Sequence, residues 1–389
     1  MKIAYIIPLS SQKIIPGVDN LEYEKTRRFI SNAIYLSGDA EIKFFRFTLN
    51  KSLEKVSFKG FEIIFLPVSF DLRKKNKKNT FSPGGEYALK LINELNNFSP
   101  DIIHSFGNVW KNFWFIWLIS KMQSASLVVE HCGGQSGLPS TNKLLSLNKF
   151  STLIHNFCLK TYTKIIATNQ PEIVSLLDLG VNENNIISNL KVLNYNTDSF
   201  FFKLNKEKSK SELGFDLNTK YLLYVGAIEI GERSPYPLLP VIKRLSQIKS
   251  NYHLLVIGDG KDRGKFETYV EKYNLKNIVT ISEGWVNSKE KLNLIYNASD
   301  IFTYPFKLQK GHYCAVIEEA KKVGLPIITY GDHLELTDGL INYVEPYNTK
   351  SFCNKIKSVS NVNPINSVDD TKESSVSNLL QVYENLING

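Results

Sequence analysis

A glycine-led loop, Gly311-His312-Tyr313, runs through Cys314-Ala315 into a helical stretch carrying Glu319. Gly324-Leu325-Pro326 then stops that stretch ahead of the apolar run Ile327-Ile328-Thr329. A loop feeding a helix leaves its first backbone N–H groups unpaired and aimed at one point, which suits a diphosphate. A carboxylate in the second turn suits sugar hydroxyls. Together they meet the needs of a nucleotide-sugar site.

Other residues of suitable type cluster at the ends of apolar runs. Tyr221-Leu222-Leu223-Tyr224-Val225 ends at Gly226, and Arg233 follows just ahead of Pro235, Pro237 and Pro240, which crowd a helix start where missing N–H groups cost least. A guanidinium there can fork onto a phosphate, or it is an ordinary exposed loop arginine. Leu254-Leu255-Val256-Ile257 ends at Gly258-Asp259-Gly260, a turn that lets backbone approach a ligand, and the next residue, Lys261, either neutralises a diphosphate or is simply exposed. The turn is not a dinucleotide fingerprint, because the third glycine is missing. His104 and His131 each end an apolar run. The glycines after His131 open space beside it for a sugar hydroxyl, whereas His104 reads as a core histidine. Gly17 marks the corresponding loop after the first run.

These positions need a scaffold that brings strand ends together. Short apolar runs recur at 3–8, 41–47, 61–67, 101–105, 126–130, 164–167, 191–193, 221–225, 253–257, 278–281, 301–304 and 326–329, most followed by a stretch of helical period. Such alternation predicts an α/β protein with two doubly wound, Rossmann-like parallel sheets in tandem. The charged stretch 203–211 reads as a linker with almost nothing to bury, giving an N-terminal domain at 1–203 and a C-terminal, nucleotide-sugar-binding domain at 204–367. A last helix at 369–386 completes a segment, 368–389, expected to return to the first domain. Ligands of open parallel sheets bind beyond the carboxyl ends of the strands, so the chemistry is expected in a cleft between two facing sheets.

Bulk properties exclude several alternatives. At 389 residues the chain is too long for one ordinary core. It contains no apolar run long enough to span a membrane, and its start reads as a buried strand, not a secretory signal. Cys132, Cys158, Cys314 and Cys353 lie far apart, which fits a reducing, cytoplasmic setting with no metal site and no disulfide framework. The net charge of +9 is partly concentrated in Arg73, Lys74, Lys75, Lys77 and Lys78. That run is either a solvated loop or a contact with anionic lipid at the inner face of the membrane or with an anionic substrate. Nucleic acid is not expected, since no basic stripe interleaves with aromatics. The aromatic segment with Trp110, Phe113, Trp114, Phe115 and Trp117 has the spacing of a helix packed on a sheet.

Taken in order, these segments resemble the retaining glycosyltransferases of the GT-B fold, specifically glycosyltransferase family 4. Four stretches carry the likeness: Asn194 to Phe201; Tyr224-Val225-Gly226 with Arg233; Val256 to Gly260 continued by Ile281 to Val286 and Tyr296 to Ile301; and Glu319-Ala320 through Pro326, continued by Glu335 to Gly339 and Val344-Glu345-Pro346. The chain departs from the family pattern in three places. Gly311 stands where a first glutamate is usual, Ala227 where an arginine is usual, and Tyr313-Cys314 where phenylalanine-glycine is usual. The resemblance implies transfer of a sugar from a nucleotide-diphosphate donor to a glycan or lipid-linked acceptor with retention of configuration, without a cofactor. It assigns the ribose to Glu319, phosphates to Arg233 and Lys261, the transferred sugar to His131, and donor contacts to Gly17, Gly226, Gly258, Gly311, His312, Tyr313, Cys314 and Ala315. Two rival readings stand beside it: a non-catalytic nucleotide-sugar or glycan-binding relative, motivated by Gly311 and Ala227, and another GT-B enzyme such as a sugar-nucleotide epimerase or a phosphorylase.

Overall fold

The computed structural model describes residues 1–7, 29–71, 86–106, 113–130, 149–167, 170–188, 195–230, 234–248, 251–307, 314–331, 340–360 and 372–388. The chain begins with β1 (Lys2–Ile7), α1 (Phe29–Leu36), β2 (Glu41–Thr48), β3 (Glu54–Phe58), β4 (Phe61–Pro67), β5 (Phe70–Asp71), β6 (Glu86–Tyr87), α2 (Lys90–Phe98) and β7 (Ile102–Phe106). It continues through α3 (Phe113–Met122), β8 (Ser126–Glu130), α4 (Lys149–Lys160), β9 (Lys164–Ile166), α5 (Gln170–Asp178), β10 (Ile186–Ile187), α6 (Tyr195–Phe200) and α7 (Lys206–Glu212). Next come β11 (Lys220–Val225), α8 (Leu238–Gln247), β12 (Tyr252–Ile257), α9 (Arg263–Lys272), β13 (Val279–Ile281), α10 (Lys289–Ala298), β14 (Ile301–Lys307) and α11 (Ala315–Lys322). The last elements are β15 (Ile327–Tyr330), β16 (Ile341–Val344), α12 (Thr349–Val359) and α13 (Lys372–Asn388).

Contacts divide the chain into two compact units, residues 1–195 with 371–389, and residues 196–370. In the first, the described strands form an eight-stranded sheet ordered β10-β9-β8-β7-β1-β2-β4-β3. Its strands run parallel except β3, which pairs antiparallel with β4 at the edge. The sheet is therefore not wholly parallel, because the short turn at Lys59-Gly60 allows only a hairpin there. The central strands are apolar on both faces, as a sheet covered by helices on both sides requires.

The terminal helix α13 belongs to this first unit. Leu379 and Tyr383 are fully enclosed with Tyr5 of β1, Phe106 of β7 and Val128 of β8. At the centre of that face lies a polar network: the Tyr383 hydroxyl shares hydrogen bonds with His104 Nδ1 at 2.5 Å and with the Tyr5 hydroxyl at 3.0 Å. Glu130 brings its carboxylate to 3.6 Å from His104 Nε2. Burial pushes both tyrosine hydroxyls well above their ordinary pKa. His104 is thus a core residue in mid-strand. Replacing Tyr383 with phenylalanine strands two buried polar partners at once and is expected to cost about 1–3 kcal/mol. Tyr5→Phe, which leaves the bond between Tyr383 and His104 intact, should cost less, and urea midpoints of the two variants test the order.

The second unit holds a six-stranded parallel sheet ordered β13-β12-β11-β14-β15-β16. Residues ahead of 204 already belong to it, since Asn293 and Asn297 accept the backbone N–H groups of Phe202 and Leu204 at 3.3 and 2.7 Å. The stretch 203–211 is not a loose linker. Asn205 caps α7 by accepting the Lys208 N–H at 2.8 Å, and Lys210 points inward with only 4% of its surface exposed. Its ammonium meets Asp300 at 3.3 Å, donates to the Thr219 carbonyl at 2.7 Å and lies over the Tyr221 ring at 5.3 Å. Pattern reading counted that lysine as solvated; a carboxylate distant in sequence turns it inward.

Candidate functional site

In the second sheet, consecutive strands run outward from β11 through β12 to β13 on one side, and from β14 through β15 to β16 on the other. The order therefore reverses between β11 and β14, the kind of switch point beyond whose carboxyl strand ends open parallel sheets hold their ligand crevice. Gly226 follows β11 at that edge, and Cys314 opens α11 after β14.

Three loops are knitted together on the β11 side. The Gly226 N–H donates to the Ile257 carbonyl at 3.0 Å, and the Ile228 N–H to the Asp259 carbonyl at 3.0 Å. Gly258 has φ of +153°, and a Cβ there would stand 1.9 Å from the Gly226 carbonyl oxygen, so no other residue fits without moving backbone. Ser282, after β13, accepts the Gly258 N–H at 3.0 Å and donates to the Gly284 carbonyl at 2.7 Å. Asp262 accepts the Ile230 N–H at 2.9 Å, a bond that, with Lys265 beside it, holds its carboxyl below the usual range. The glycines thus pack backbone on backbone, which fixes the rim of the crevice.

On the β14 side, α11 starts without a side-chain cap: Cys314 has extended backbone, and its side chain bonds no helix amide. The Cys314 carbonyl accepts from Ile317 and Glu318, as the residue before a helix should, while the leading amides lie ahead of the intrahelical ladder. One turn further, Glu318 and Glu319 diverge. Glu318 faces outward and pairs with Lys321 at 3.5 Å. Glu319 turns inward, 6% exposed, with Oε2 accepting the Tyr296 hydroxyl of α10 at 2.9 Å. Burial raises the Glu319 carboxyl above its ordinary pKa, while Lys289 and the Tyr296 hydroxyl pull it down. Glu319 is therefore more enclosed than an open ligand for sugar hydroxyls would be, because the short α11 packs its Ile317, Glu319 and Ala320 face onto the core.

Gly226, Gly258, Cys314, Ala315 and Glu319 all lie at the carboxyl edge of this one sheet. Lys261 is exposed and its ammonium meets Glu229 at 3.1 Å, the plainer of its two readings. Gly17, His131, Arg233, Gly311, His312, Tyr313 and the basic run Arg73 to Lys78 lie outside the described residues. Two residues went unread in the sequence as site members, Tyr296 and Lys289, which set the charge environment of Glu319. Among the described residues no His, Cys, Asp and Glu cluster could hold a metal ion.

Compared with known families, residues 205–370 match Glycosyl transferases group 1. No curated protein matches the chain. Solved structures match over its whole length. Sucrose-phosphate synthase from Thermosynechococcus elongatus has a TM-score of 0.66 at 14% identity, covering 100% of this chain and 99% of that one. HepE of Anabaena, solved in complex with UDP, scores 0.61 at 13% identity over 100% and 96%. WaaG, a glycosyltransferase involved in lipopolysaccharide biosynthesis, scores 0.60 at 13% identity over 100% of both chains. At such identities the likeness is one of fold, and the fold is GT-B. Residues 205–370 thus carry the likeness to Glycosyl transferases group 1, and the chain as a whole has the GT-B fold.

Proposed function

We propose that the crevice between β11 and β14 binds a nucleoside-diphosphate sugar and that the protein transfers its sugar, with retention, to a glycan or lipid-linked acceptor. The observation that carries this reading is the uncapped start of α11 at the strand-order reversal, with a buried carboxylate one turn inside. Leading amides of a helix are oriented before the reaction begins, so they stabilise charge growing on a departing diphosphate at little reorganisation cost. As the bond from sugar C1 to the diphosphate oxygen breaks, its electron pair goes to that oxygen. The acceptor hydroxyl bonds C1 from the same face and gives its proton to a diphosphate oxygen. Tyr296 occupies Oε2 of Glu319, so Oε1 is the oxygen available to a ribose hydroxyl. Arg233 is assigned to phosphate and His131 to the transferred sugar on the strength of the family resemblance. UDP in the HepE structure and ADP in the starch synthase IV structure from Arabidopsis thaliana make these two bases the first to test.

The basic run Arg73 to Lys78 is proposed to bring the protein to anionic membrane carrying a lipid-linked acceptor. No helix among the described residues is long and apolar enough to cross a membrane, so such contact is peripheral. Thermal unfolding across a panel of UDP-, ADP- and GDP-sugars tests the donor assignment. A true donor at a hundred times its Kd adds about 2.7 kcal/mol of stability. An unchanged midpoint with every nucleotide sugar would reject the reading, and NMR of the product anomer decides retention.

A further inference from the structure

Helix α10 opens with a cation where a helix disfavours one. Ser288 caps it, accepting the Lys291 N–H at 3.1 Å and donating to Glu290 at 2.8 Å. Glu290 suits the positive end of the helix dipole, whereas Lys289, the first residue of the helix, opposes it. Lys289 forms no ion pair among the described residues to offset that cost. Its half-buried side chain instead turns toward the core, with Nζ 5.9 Å from the centre of the Phe201 ring.

That ring begins a row of contacts ending at the candidate site. Phe201 is buried and meets Tyr296 edge-on at 5.6 Å. Tyr296 stands two turns along α10 from Lys289, on the same face, and its hydroxyl donates to Glu319 Oε2 at 2.9 Å. The other charges on α11 are already paired: Glu318 with Lys321 at 3.5 Å, and Lys322 with Asp198 of α6 at 3.2 Å. Beneath α11, β14 and β15 bring only Tyr304, Tyr330 and, at the exposed end of β14, Lys307; Cys314 lies ahead of the helix. Burial disfavours the charged form of Glu319, and the cation that offsets it is Lys289, beside an apolar wall where water screens little.

We propose that Lys289 is a positioning residue for the donor: set over Phe201, its ammonium keeps Glu319 in the carboxylate form that bonds a ribose hydroxyl, and so sets the pH range over which the donor binds. A carboxylate accepts a hydroxyl about twice as strongly as a neutral acid does, so the crevice needs Glu319 ionised although the fold encloses it. A cation in direct contact would take up Oε1, the oxygen that Tyr296 leaves available. A cation held off on an aromatic ring favours the charge and leaves that oxygen open. This role rests on the donor reading above and adds a residue that no family motif marks.

Calorimetric titration of the full chain with UDP, ADP and GDP, from about pH 5 to about pH 8, tests it. With the nucleotide that binds, Lys289→Met should lose about threefold more affinity than wild type at the acid end, the size of a partly screened charge pair, and match it at the alkaline end. Lys289→Arg should restore the wild-type profile, and Lys291→Met, one turn position away and exposed, should never depart from it. On a Glu319→Gln background, Lys289→Met should cost nothing further; a loss that persists there would mean that the lysine touches the nucleotide itself, and the proposal would fall. A loss of melting temperature in Lys289→Met with an unchanged pH profile would also overturn it, as a purely structural role. Carboxyl ¹³C NMR of labelled glutamate, assigned with Glu319→Gln, follows Glu319 without any ligand, and its titration should move to higher pH in Lys289→Met. If no nucleotide binds while that titration still moves, the donor reading falls and the hold of Lys289 on Glu319 stands. If a nucleotide binds and the titration stays in place, only the role of Lys289 is lost.

Discussion

Glu319→Ala is expected to weaken binding of a nucleoside-diphosphate sugar by roughly ten- to a hundredfold, the worth of a charge-assisted hydrogen bond of about 1.5–3 kcal/mol. Glu318→Ala, one residue away, should change it less than about threefold. The two carboxylates share a helix but not an environment: one pairs with Lys321 on the outer face, the other lies beneath the rim of the crevice against Tyr296. Equal losses in calorimetric titrations would reject the role given to Glu319. Glu319→Gln separates charge from packing, because it keeps an acceptor for Tyr296. A carboxyl whose folded pKa is raised contributes stability that is whole below its ordinary value near 4.5 and is lost as pH rises through the folded value. Melting temperatures of Glu319→Gln should therefore equal or exceed wild type at neutral pH and fall behind only in acid, while donor affinity drops. A variant less stable than wild type at neutral pH would show that the charge is satisfied within the fold and not held for a ligand.

The strongly apolar strands were legible because burial on both faces leaves no room for polar residues. β11, β12, β14 and β15 read as continuous runs, and Gly226 and Gly258 marked where the ligand-edge loops of β11 and β12 begin. β3 and β16 escaped notice since neither is buried throughout: β3 is an exposed edge strand, and Ile341, Asn342 and Tyr343 of β16 are only half-covered. In the site, Gly258 and the helix carrying Glu319 could be read from local spacing. The Tyr296 bond to Glu319 could not, because it joins α10 to α11 through packing that no local pattern encodes. For the same reason 203–211 read as solvated: seven of its nine residues from Lys203 to Ser211 carry charged or hydroxylic side chains, and what buries Lys210 is Asp300.

That hidden pair makes Asp300→Ala the expected largest loss of stability in the second unit. Asp300 does three things at the amino edge of the sheet: Oδ2 accepts the Tyr221 N–H at 2.8 Å, the same oxygen faces the Lys210 ammonium at 3.3 Å, and Oδ1 accepts from Lys206 at 3.0 Å. Removing it leaves a nearly buried ammonium with carbonyl partners alone and a strand N–H without its acceptor. Breaking a buried ion pair from one side costs about 3–5 kcal/mol, and the partial exposure of Asp300 places the expected value near the lower end. At about 2–4 °C per kcal/mol for a unit of this size, the melting transition should fall by roughly 6–12 °C. Lys206→Ala removes only the more exposed partner and should cost under about 1 kcal/mol. Asp300→Asn should fall between them, since an amide oxygen can still accept from Tyr221 but cannot offset the Lys210 charge. Calorimetry of the three variants reads the order directly: if Lys206→Ala matched Asp300→Ala, the stabilisation would lie in the surface pair, and α7 would after all be the loose connection its composition suggests.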